Sequence, residues 1–288
     1  MDNVALLALV HESPEGRGVD AGWLSRVLSR CGAAHHFAGG DEGVEVVRAW
    51  SVGGVQGGET LVQSRPVVRD RRAEFVADFL RAPSQTTLAI HAVVKPPGHG
   101  AEDIPAPRLG LARFQRWLGV RAESALHPDE AEAAALREQL RKSLPDFLQR
   151  ALSHAGDREL TIFAFLGALH RSGDLNKPYV APPQIRAALS ALDAQLGRPA
   201  RLNLFVCDGR TVGVIHRGGR LLMVDAPAPA KSIRALAITP AQRVQASLLL
   251  HDDGADSGLP ALEGAEIRRV NEGIFTLSAR APGQIERE

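Results

Sequence analysis

Cysteine is almost absent from this chain: Cys31 and Cys207 are the only two in 288 residues. Thiols so far apart make neither a disulfide framework nor a metal knuckle, so both are expected to be reduced and buried. Neither sign of charge dominates. The 34 Lys and Arg face 33 Asp and Glu, and the arginines are scattered, which leaves no field to recruit nucleic acid or an anionic membrane. Long apolar runs are missing too, and the opening MDNVALLALVHESPEG is acidic with too short an apolar stretch for a signal peptide. These absences predict a soluble, cytoplasmic protein with no nucleic-acid partner and no membrane. Internal repeats and low-complexity linkers are also lacking, so residues 1–280 are expected to form one domain, with 281–288 as a loose tail.

What is present is strand pattern, then helix pattern, then strand pattern again. Alternation and β-branched content predict strands at Val4 to Val10, Val44 to Val52, Thr60 to Ser64 and Thr87 to Val94. Two helices interrupt them: Gly22 to Arg30, with Trp23, Leu24, Val27 and Leu28 on one face, and Arg71 to Leu80, with Phe75, Val76, Phe79 and Leu80. From Pro128 an Ala/Glu/Leu/Arg-rich texture predicts four successive helices, at Pro128 to Ser143, Pro145 to His154, Glu159 to His170 and Pro182 to Leu196. Ile162, Phe163, Phe165, Leu166 and Leu169 leave the third of these little polar face, so it is expected to be buried between layers. Strands return at Arg201 to Cys207, Val212 to Arg217 and Arg220 to Val224, joined by Asp208-Gly209 and Gly218-Gly219 turns, and again at Ala246 to Leu250, Glu266 to Val270 and Gly273 to Ser278. The sum is a layered α+β sandwich of sheets flanked by helices.

Several stretches, in order and over nearly the whole chain, resemble the class II (Ntn-type) glutamine amidotransferases of the small stand-alone branch. VALLALV resembles the family's first strand, TLAIHAVVKPPG the strand bearing His-Val-Arg, and GLARFQRWLGVRAE the segment ending in His-Asn-Gly. SLPDFLQRALSHAGDRELTIFAFLGALHRSG resembles the helix with Thr-Asp-Ser-Glu, and ARLNLFVCDGRTVGVIHRGG the later Leu-Asn strand and Asp-Gly turn. The resemblance implies a four-layer αββα Ntn-hydrolase-like sandwich of antiparallel sheets.

It also implies a chemistry whose parts this chain does not supply. The family's nucleophile is an N-terminal Cys; the matching position is Asp2, or Val4 if the apolar runs are aligned, and no Cys occurs in the first 30 residues. Ser13 and Cys31 lie beyond the first strand. The carboxylate-binding Arg falls on Val93, with His91 matching the family's His and Lys95 two residues on. The oxyanion-hole triplet falls on Arg121, Ala122 and Glu123, read here as a surface turn; Ala122 lacks the side-chain donor and Glu123 brings the wrong charge. Asp157, with Glu159, matches the acid that receives the substrate amine, and an N-cap ahead of an apolar helix explains Asp157 equally well.

Other features carry less. His35-His36 lacks partners at zinc-ligand spacing, the GHG at Gly98 to Gly100 reads as a rigid turn, and Asn203 matches the family where it shapes the sheet. The expectation is therefore a pseudoenzyme with a regulatory, scaffolding or ligand-binding role, no cofactor and no metal, whose partner is a glutamine-like small molecule or another protein. The alternative is an active amidotransferase or amidohydrolase with relocated residues, for which Cys207 is the candidate nucleophile.

Overall fold

In a computed structural model of the chain, residues 3–11, 17–19, 21–31, 47–56, 58–69, 75, 78–79, 86–94, 111–153, 156–232, 243–252, 264–279 and 281–287 are described. Period-2 apolar segments become strands and period-3.6 segments become helices. In chain order the elements are β1 (Asn3–His11), β2 (Arg17–Val19), α1 (Ala21–Cys31), β3 (Val47–Gln56), β4 (Glu59–Arg69), β5 (Thr86–Val94), β6 (Ala112–Phe114) and β7 (Trp117–Arg121). The helical middle follows as α2 (Glu130–Ser143), α3 (Asp146–Ala151), α4 (Asp157–Arg171) and α5 (Pro182–Gln195). The strands that return are β8 (Leu202–Cys207), β9 (Thr211–Arg217), β10 (Arg220–Ser232), β11 (Arg243–Asp252), β12 (Glu266–Arg269), β13 (Gly273–Ser278) and β14 (Ala281–Arg287).

Two antiparallel sheets result. The larger runs β12-β10-β11-β1-β5-β3-β4, with β2 paired to β10, and the smaller runs β14-β13-β9-β8-β7-β6. Alternation sorts each strand's residues between layers. Val4, Leu6, Ala8 and Val10 of β1 join Leu118, Val120, Phe205, Val212 and Val214 of the smaller sheet in the apolar core between sheets. Ala5, Leu7 and Leu9 face the other way, against Trp23, Leu24, Val27 and Leu28 of α1. Phe75, Asp78 and Phe79 are helical and lie on the same outer face; the rest of the Arg71 to Leu80 prediction falls outside the described residues. Asp78 receives Trp50 Nε1 at 3.0 Å and Arg65 Nε at 3.3 Å, which ties this layer to β3 and β4. The architecture is thus two stacked antiparallel sheets flanked by helices, an α+β sandwich.

On the outer face of the smaller sheet, α4 is buried along most of its length, from Leu160 to Leu169. Two glycines set how closely the helices approach. A Cβ at Gly119 of β7 would stand 2.7 Å from Ile162 of α4, and one at Gly213 of β9 would stand 2.7 Å from Ile185 of α5. The helices therefore lie on bare strand backbone.

Two expectations need correction, and one strand went unmarked. The residues from Ala281 are not a loose tail: β14 pairs with β13, and Glu286 takes Arg186 Nη1 at 3.0 Å. The segment through Arg121 is not a surface turn but the end of β7, paired with β8. Its partner β6 was also unmarked in the sequence, because the β6-β7 turn runs through Gln115 at φ 51 without a glycine.

Candidate functional site

The start of β1 fixes one end of the sandwich. Asn3 pairs with Val93 of β5, and Val93 pairs in turn with Arg48 of β3. Val4 is buried and packs into the core between sheets. Beside it, His251 of β11 is opposite Leu6 of β1, and the His251 ring meets His216 of β9 at a centroid distance of 5.7 Å, edge to face. His216 is in register with Asn203 at the start of β8. Three strands from two sheets, β11, β9 and β8, thus bring polar side chains to the end where β1 begins.

Asn203 is the hub. Its Nδ2 donates to Glu123 Oε1 at 2.8 Å and to the Arg217 carbonyl at 3.0 Å, and its backbone N–H donates to Glu123 Oε2 at 2.9 Å. Its Oδ1 accepts from the Arg217 N–H at 3.2 Å and lies 2.8 Å from His216 Nδ1. Two acceptors identify Nδ2, so Oδ1 must accept, and the His216 proton is assigned to Nδ1. Burial pulls the His216 pKa down to about 4, against the opposing pull of Glu272. Near neutral pH the ring is uncharged, with its lone pair on Nε2.

A second set of charges runs outward from the same place. Arg121 points into the helical layer and is 1% exposed. Its Nη1 donates to Thr161 Oγ1 at 3.0 Å, its Nη2 to the Ala125 carbonyl at 2.7 Å, and its Nε stands 3.6 Å from Glu123 Oε2. Burial lowers its pKa, and the carboxylates of Glu123 and Asp157 act the other way. Asp157 is gripped by a fork: Arg137 Nε reaches Oδ1 at 2.6 Å and Nη2 reaches Oδ2 at 3.0 Å, while the Leu126 N–H also donates to Oδ2 at 3.0 Å. Arg137 in turn meets Glu130 at 2.6 Å. Charge alternates from Glu130 at the surface through Arg137, Asp157 and Arg121 to Glu123, next to the hub.

The positions singled out by sequence fare differently. Asp2, Ser13, His35, His36, Lys95 and the GHG turn lie outside the described residues. Val4 and Val93 lie on adjoining strands at the start of β1, Val4 opposite Ala92 and Val93 opposite Asn3. Ala122 is at the same end with both backbone groups engaged: its N–H donates to the Asn203 carbonyl at 3.0 Å and its carbonyl accepts from Arg158 Nη2 at 2.8 Å. Glu123 grips Asn203. Asp157 is not the N-cap of α4; Gly156 is, without a side-chain cap bond, and Asp157 is the first helical residue, its carboxylate turned to Arg137.

The two thiols lie elsewhere. Cys207 closes β8 at the opposite end of the core, beside Thr86, which pairs with Val10 at the far end of β1. Asn3 to Val10 spans roughly 20 Å at strand rise. Burial pushes the Cys207 thiol up to about 12, with Thr86 acting against it. Cys31 ends α1 on the outside of the larger sheet, and burial raises its thiol to about 11. Neither is an activated thiolate. Sequence reading passed over His216 and His251; the signal was a polar residue at inward-facing positions of otherwise apolar strands. Among the described residues no group of three or more His, Cys, Asp or Glu is placed to hold a metal, and no helix is long and apolar enough to cross a membrane.

No family model matches this chain, and no curated protein matches it. Solved structures to which it is similar include a glutamine aminotransferase class-II domain protein from Silicibacter pomeroyi, at 12% identity and TM-score 0.46, covering 82% of this chain and 95% of that one. Another is a predicted glutamine amidotransferase from Pseudomonas aeruginosa, at 11% identity and TM-score 0.47, covering 98% and 99%. A third is the glutamine phosphoribosylpyrophosphate amidotransferase of B. subtilis, at 12% identity and TM-score 0.46, covering 98% of this chain and 49% of that one. These are distant likenesses.

Proposed function

We propose that this chain is a class II glutamine amidotransferase-like protein that does not hydrolyse glutamine and acts instead as a regulatory, scaffolding or ligand-binding protein. The family reading rests on the ordered motifs of the sequence together with the stacked antiparallel sheets and flanking helices. The observation that carries the loss of reaction is the location of sulfur. Cys207 is at the far end of the core and Cys31 is beyond the larger sheet, both with raised pKa values, so neither thiol stands at the start of β1. The neighbouring positions support the same reading. Ala122 offers no side-chain donor and its N–H is spent on Asn203, Glu123 would oppose a developing oxyanion, and Asp157 is committed to Arg137.

The test is ammonia release from glutamine by the purified protein, with labelling by a glutamine-analogue electrophile in parallel. The expected result is release no faster than in a protein-free control and no adduct on either cysteine. Turnover above that control, or an adduct on Cys207 in the folded protein, overturns the reading and favours an amidohydrolase with relocated residues.

A further inference from the structure

On the outer side of the Asn203 hub, a cavity of about 330 Å³ opens where the last turn of α5 meets the ends of β9 and β14 and the start of β13. Ser190 and Asp193 line it from α5, Arg198 from just beyond that helix, and Arg217, Gly273 and Arg287 from the three strands. Three arginines therefore border it beside the Asp193 carboxylate, with Glu272, which takes the Gly218 N–H at 2.8 Å, adding its field at Arg217. That carboxylate is already committed: Asp193 takes Arg217 in a fork, Nε at 3.0 Å and Nη2 at 2.6 Å. Arg217 is immobile on its backbone side as well, because Asn203 brackets its N–H and its carbonyl.

The other two cations are positioned without a carboxylate of their own among the described residues. Arg287 donates from Nη2 to the Asn271 carbonyl at 3.2 Å, and its guanidinium lies 5.8 Å from the centre of the Phe275 ring. Arg198 sits at φ 52, after Gly197 at φ 75, and its N–H bonds the Asp193 carbonyl at 2.9 Å. Left-handed backbone is uncommon for a residue with a side chain. A cation past a helix C-terminus offsets the helix dipole, which accounts for Arg198 alone. It does not account for Arg287, brought to the same cavity from the last strand of the chain.

We propose that this cavity binds a small metabolite through a phosphate or carboxylate group, with Arg198 and Arg287 as the charge-bearing contacts and the Arg217–Asp193 pair as a fixed wall. Guanidinium forks match both oxyanions, and neither Arg198 nor Arg287 has an ion pair among the described residues to compete with a bound anion. The volume lies at the small end of the range for ligand pockets, which suits a compact molecule. The proposal is independent of the amidotransferase reading, and each can fail without the other.

Calorimetric titration of the full chain with inorganic phosphate and, separately, with citrate at low ionic strength provides the test. Saturable binding is expected, weakened about tenfold or more by Arg198→Ala with Arg287→Ala, and unchanged by Arg113→Ala at the opposite edge of the same sheet. Tighter phosphate binding assigns a phosphate ester and tighter citrate binding a carboxylate. If the double alanine variant unfolds, Arg198→Lys with Arg287→Lys keeps the charge, loses the fork and still weakens binding. Absence of saturable binding, affinity indifferent to these variants, or an equal loss in Arg113→Ala overturns the proposal.

Discussion

The two ends of the core between the sheets are chemically unlike. Where β1 ends, the turn at Gly209 packs so near Val55 that a Cβ there would lie 2.9 Å away, and the buried polar groups form small separate pairs, Thr86 beside Cys207 and Ser247, opposite Val10, bonded to Asp225. Where β1 begins, Glu123, Asn203, His216 and His251 crowd together, with Arg121 and Asp157 directly behind. Burying polar groups is costly unless they satisfy one another, and here Asn203 makes five contacts through its side chain and backbone N–H to do so. The linked polar network therefore lies at the end where neither cysteine stands, and Cys207, the thiol between the sheets, sits at the other.

Arg121→Ala should break this contrast most severely. It removes a buried cation and leaves Glu123 without its charge partner, so denaturant unfolding should show a loss of about 3–5 kcal/mol. A loss no greater than that of Arg150→Ala on the surface of α3 would mean that the charge chain contributes nothing. The next effect is on pH dependence. The folded pKa of His216 is depressed, so below its ordinary value the unfolded chain binds the proton more readily, and stability falls as pH drops from about 6.5 to about 4. At about 1.4 kcal/mol per unit, the full window is worth at most roughly 3 kcal/mol. Melting curves across that window should show the wild type losing more than His216→Gln; parallel curves would remove His216 from the account. The smallest effect sharpens the reading of Asp157. Asn caps helices as well as Asp, so a capping role predicts no change in Asp157→Asn, whereas the Arg137 fork predicts a fall in melting temperature of roughly 2–4 °C.

Most of the architecture was legible because it rests on local signals. The α1 face, the buried length of α4 and the glycine turns at Gly209 and Gly218, with φ of 92 and 75, are all properties of short stretches. The β6-β7 hairpin was not legible, because β6 is only three residues long, β7 is buried on both faces and so shows no alternation, and the turn carries no glycine. Arg121 reads as surface because arginine is seldom buried; what buries it is Glu123, Thr161 and the Ala125 carbonyl, the last two supplied by helix and loop rather than by its own strand. Asp157 failed as a cap by one position, and Arg137, twenty residues earlier, could not be paired with it without the fold. The candidate site was half visible. Val4 and Val93 lie on adjoining strands at one end of the core, but the histidines that share the place come from strands far along the chain.

Arg121 also bears on how the molecule can come apart. Its guanidinium spans β7, the Ala125 loop and α4 at once, so lifting that helix would strand a cation in an apolar layer. The helical layer and the smaller sheet are thereby joined into one cooperative unit, in which α4 cannot open by local fluctuation alone.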